Sequence, residues 1–151
     1  MVSVTSVTDK YILQPSLLTK HRRTLDAISA AVLWKLELTF FQRLLDRYAP
    51  EFSAEEDKKL IDHFQSIFLY YRSELIDSFI TKLRLLEASL AVALETHNET
   101  KLEYFRVHDS LLQEIDALRD QYAVYKEEFF KFIQRGMSSD VTTLAAGEEL
   151  K

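Results

Sequence analysis

The stretch Tyr104–Phe132, YFRVHDSLLQEIDALRDQYAVYKEEFFKF, decides how this chain folds. Its large side chains fall at Tyr104, His108, Leu111, Ile115, Leu118, Tyr122, Tyr125, Phe129 and Phe132, in alternating steps of four and three. Only a helix brings that spacing to one face, and a seam sustained this long has to be covered by other helices. Leu112, Phe130 and Ile133 widen the seam on one side, as bundle helices require. Gly136 is placed to end the helix as a C′ residue, leaving residues 137–151 as a polar tail with a short helical turn at 143–146.

Two more helices precede it. Leu17 to Tyr48 reads as the first, with Ser16 as its N-cap and Ala49-Pro50 as its stop, because proline disfavours helix in the residue before it. Ser53-Ala54-Glu55-Glu56 reads as a capping box opening the second. The second helix carries Leu60, Ile61, Phe64, Ile67, Phe68, Tyr71 and Leu75, then Phe79, Leu83, Leu86, Leu90 and Val92-Ala93-Leu94. Its stripe rotates by roughly 70° between the two halves, which calls for wrapping or a change of neighbour. Neither glycine nor proline occurs between Glu51 and Arg135. A break is placed at Thr96-His97-Asn98, where the surrounding residues are polar, with one continuous helix as the alternative.

Composition agrees with this reading. The chain has 151 residues, of which 47% are hydrophobic and 28% charged, and it holds two glycines, two prolines and no cysteine. So little turn chemistry excludes sandwiches, barrels and glycine-dependent nucleotide loops. The lack of cysteine excludes disulfides, thiol nucleophiles and Cys-ligated zinc. A net charge of −5 and no basic run beyond Lys20-His21-Arg22-Arg23 argue against nucleic acid. No apolar run is long enough for a membrane span, and residues 1–16 lack a signal-peptide pattern, so a cytoplasmic protein is expected.

The expected fold is all-α: an antiparallel up-down bundle of three long helices over residues 17–136, with an N-terminal arm, 1–16, and completed by dimerisation. The arm carries Tyr11-Ile12-Leu13, an apolar triplet suited to docking. The first helix spreads Leu33, Trp34, Leu36, Leu38, Phe40, Phe41, Leu44, Leu45 and Tyr48 over an arc wider than two neighbours can cover. That width is the reason to expect a homodimer.

Polar residues on apolar faces are the candidate sites. Asp26 and Glu37 share a line on the first helix, and Arg72 lies inside the stripe of the second. A hairpin turning near residue 51 sets Arg72 opposite about residue 30, so a buried ion pair fixing register is expected. A polar patch for a small anionic or polar ligand is the alternative. Tyr122 and Tyr125 are expected beside Arg72, in reach of a cation–π contact. His108 reads as a core histidine held by one hydrogen bond. Tyr70 and Phe105 fall off the stripes and are candidate contact residues. No Glu-x-x-His or His-Glu-x-x-His pattern suggests a metal, and the serines sit inside helices without a nucleophile elbow. These signals lead to a non-enzymatic protein without cofactor, acting on itself and on a protein partner of unknown identity. A small-molecule-binding bundle near Glu37, Arg72 and the tyrosines is the alternative, and a metal-binding four-helix-type protein comes third.

Overall fold

A computed structural model describes residues 15–95 and 98–149, with side chains for 17–92 and 102–138. Every described element is helical. Helix α1 spans Pro15–Tyr48, a 3₁₀ turn Ala49–Glu51, α2 Glu55–Tyr70, a π-helical segment Tyr71–Leu75, α3 Ile76–Glu95 and α4 Asn98–Glu149. The apolar triplet of the arm and the break at residues 96–97 lie outside the described residues; the described helices on either side end at Glu95 and resume at Asn98.

Local chemistry accounts for most ends, with three corrections. Ser16 is not the N-cap, since the helix already includes Pro15, whose fixed φ and missing N–H suit a first turn. The Ser53 capping box does not form: Ala54 is the N-cap, without a side-chain cap bond, and Glu55, Glu56 and Asp57 in the first turn meet the helix dipole instead. Gly136 does not stop α4, which continues to Glu149, so the stretch expected to be a tail with one helical turn is helical to that point. The glycine serves close approach. A Cβ there would stand 2.9 Å from Phe52 Cε2 and 3.3 Å from Tyr48 Cβ.

Two compact units divide the chain, Met1–Val32 with Ser78–Asp116 and Leu33–Asp77 with Ala117–Lys151. In the first, α1 buries Leu17 and then the small residues Thr24, Ala27 and Ala31, against larger ones on α3 and α4 such as Leu83, Leu86, Leu90, Tyr104, Leu111 and Ile115. In the second, the core is aromatic. Phe129 sits 4.8 Å from Phe68 and 5.3 Å from Phe41, centroid to centroid, and Phe52 stacks on Phe132 at 4.2 Å. Edge and stacked geometries of this kind suit the ring quadrupoles.

The rotating stripe of the second helical stretch has a local cause. The buried stripe there runs through Ile61, Phe64, Phe68 and Tyr71, then Ile76, Phe79, Leu83, Leu86 and Leu90, with Ile80 buried beside it. The steps alternate three and four except between Tyr71 and Ile76, where one extra residue intervenes. The π segment falls on that interval, and the Ile76 N–H reaches the Tyr71 carbonyl. A π turn takes up an inserted residue without rotating the helix beyond it.

Candidate functional site

The predicted polar cluster assembles in part. Glu37 lies on the inner side of α1, and one turn of register brings it to α4. Its Oε1 accepts a hydrogen bond from the Tyr122 hydroxyl at 3.2 Å and lies 3.5 Å from Lys126 Nζ. The Lys126 ammonium also stands 4.8 Å over the Tyr122 ring. Tyr122 is buried, and that burial, then the Glu37 charge, raises its phenol well above the usual range. It remains a neutral donor. Tyr125 is half-buried and meets Tyr71 edge-on at 5.7 Å. Burial pushes the Tyr71 phenol up to about 12.

Asp26 and Arg72 do not join this cluster. Asp26 is exposed, so its charge needs no buried partner. Arg72 is level not with residue 30 but with a groove lined by Thr39, Gln42, Arg43, Asp46, Gln65 and Leu69. The connection explains the offset: the 3₁₀ turn and the segment Phe52 to Ala54 lengthen the link, so α2 folds back later than a tight turn at residue 51 allows. Lys35 accordingly pairs with Asp77 at 2.6 Å, and Phe41 meets Phe68. The cation over the Tyr122 ring is Lys126, not Arg72. The groove encloses about 420 Å³ and is open to solvent. Within it, Arg72 Nε is buried with no hydrogen-bond partner.

A second polar group lies in the other unit. His108 is fully buried, and its Nε2–H donates to the Lys20 carbonyl at 3.0 Å. Burial holds its pKa below the usual value, against the opposing pull of Asp109. Lys20 Nζ reaches Asp109 Oδ1 at 2.6 Å and lies 5.2 Å from the centre of the Phe105 ring. That ammonium partly covers Phe105, whereas Tyr70 is exposed. His21 Nδ1 stands 2.7 Å from Glu87. Tyr104 nearby is pushed up to about 12, by burial first and then by the Glu87 charge.

Two apolar surfaces remain uncovered. On α1, Leu33, Leu36 and Phe40 are 55%, 65% and 57% exposed. Between α3 and α4 an open groove of about 790 Å³ is lined by Leu85, Leu86, Val107 and Leu111, with Lys82 and Glu114 among its charged residues. Among the described residues no group of three or more His, Asp or Glu is placed to hold a metal ion, and no helix is long and apolar enough to cross a membrane. The Arg43–Arg72 groove, Lys126 and the Lys20–Asp109 pair were not legible as sites, because each depends on which turns of separate helices come level. No family model, no curated protein and no solved structure matches this chain at a significant level.

Proposed function

We propose that this is a non-enzymatic, cytoplasmic helical-bundle protein that acts by protein–protein interaction, first of all with a second copy of itself. The observation that carries the reading is the apolar face of α1. Leu33, Leu36 and Phe40 follow one another at helical spacing and are all more than half exposed. Single exposed leucines are ordinary, but a contiguous row is not. Half-exposed Phe130 lies near the row, since the buried Phe41 ring contacts both Phe40 and Phe130. A two-fold dimer covers such a patch with its own copy, which is the commonest closed arrangement.

Within the second unit the contacts favour helices of alternating direction. Lys35 meets Asp77 while Phe41 meets Phe68, whereas Trp34 meets Tyr122 while Phe41 meets Phe129. The first pairing falls as the number on α1 rises, and the second rises with it. Such an up-down-up order leaves one flank of α1 without a neighbour. The α3–α4 groove offers a second surface, and the opposite charges of Lys82 and Glu114 beside it suit exchange between two-fold copies.

Sedimentation equilibrium tests the proposal. The protein is expected as a dimer at micromolar concentration, and the double variant Leu36→Lys, Phe40→Lys as a monomer with unchanged helix content. Exposed positions tolerate charge with little loss of stability, so the variant should melt within a few degrees of the parent. A monomeric parent protein, or a dimer that survives both lysines, overturns the reading.

A further inference from the structure

The groove around Arg72 is built almost wholly from hydrogen-bond donors. Arg43 and Arg72 contribute guanidinium groups, Gln42 and Gln65 amides, and Thr39 a hydroxyl, while Asp46 is the one carboxylate lining it. Its formal charge is therefore positive in a chain whose net charge is −5. Arg72 enters from the π segment, and its Nε is buried without a hydrogen-bond partner. That nitrogen is closed to solvent, so what Arg72 offers a ligand in the groove is the rest of its guanidinium. π turns are retained disproportionately where a helix presents a functional side chain. Leu69 adds a single apolar edge.

We propose that this groove is a binding site for a small oxyanion, a phosphate group held by Arg72 and Arg43 together. The terminal N–H groups of Arg72 present a planar pair that matches two oxygens of a phosphate, and Arg43 adds a second cation from the facing helix. Gln42 and Gln65 supply neutral amide donors for the remaining oxygens, while the Thr39 hydroxyl is donated to the Lys35 carbonyl at 3.1 Å. Asp46 opposes the anion, and it lies about one turn from Arg43 on α1.

The test is an NMR titration of the full chain at constant ionic strength, reading the arginine Nε–H resonances, with inorganic phosphate in one arm and phenyl phosphate in the other. A saturable shift of Arg72 Nε–H is expected, with the affinity lowered at least about tenfold in Arg72→Gln and in Arg43→Gln, since each removes a charge-assisted donor. The exposed-site variant Lys59→Gln should bind as the parent does. Tighter binding of phenyl phosphate marks the phosphate group of an organic molecule as the ligand, and equal binding marks the free anion. Arg43 is exposed, so its variant remains informative even where Arg72→Gln fails to fold. No saturable shift with either probe, or an affinity unchanged in a folded Arg43→Gln, overturns the proposal.

Discussion

His108 shows how a single polar residue becomes part of a core. Its Nε2–H is satisfied by the Lys20 carbonyl, which also accepts the Thr24 hydroxyl at 2.9 Å. Burial favours the neutral ring, so its pKa in the folded protein lies below the usual 6.5. The unfolded chain therefore takes up the proton first as pH falls. The stability that His108 contributes is complete above about 6.5 and is lost as pH falls from there through the folded-state value. Thermal melts between pH 7.5 and 5 should show a steeper fall in Tm for the parent than for His108→Leu; parallel curves would mean that the ring does not titrate on unfolding. Gly136 is the opposite kind of residue, kept for its missing side chain. Alanine at that position gains about 1 kcal/mol of helix propensity but drives a methyl into the Phe52 ring. That ring is buried and stacked on Phe132, so it has nowhere to swing, and overpacking costs roughly 1–3 kcal/mol. Gly136→Ala should be destabilised by about 1 kcal/mol in urea unfolding, and a gain in stability would show that the ring yields.

At the scale of elements, the π segment reconciles two stripes that are one residue out of step. Remove one residue from it and Phe68, Tyr71, Ile76 and Phe79 fall on an unbroken alternation of three and four. Deleting the exposed Ser73 should then leave the fold intact, with Tm shifted by a few degrees at most. Deleting the exposed Ser66 removes a residue where none is surplus, turns everything beyond it by about 100° and should abolish cooperative melting. Equal damage from both deletions would show that the π turn absorbs no inserted residue. This element was half legible. The rotation of the stripe could be read from Ile61 to Leu90, but wrapping and a local insertion produce the same pattern on paper. The backbone chose insertion, which confines the change to Tyr71–Leu75.

For the molecule as a whole, apolar periodicity identified the helices and nearly all the buried positions of α4. Tyr104, His108, Leu111, Ile115, Leu118, Tyr122, Phe129 and Phe132 are all buried, and Tyr125 is half-buried. A 3.6-residue turn converts spacing directly into a face, so no knowledge of neighbours is needed. The surplus apolar arc of α1 was equally readable, and Leu33, Leu36 and Phe40 are its exposed flank. Pairing was not readable. Glu37 found Lys126 and Tyr122 instead of Arg72, Arg72 came to lie with Arg43 and Gln65, and Gly136 met Phe52. Each outcome turns on a shift of a few residues between helices; for Arg72 the shift follows from the 3₁₀ turn and the extended Phe52–Ala54 segment, which lengthen the α1–α2 connection. Faces are decided by local geometry, which the order of residues contains. Partners across helices are decided by register, which only the packed core selects, because many registers satisfy the same stripes and their differences lie in how the aromatic side chains interlock.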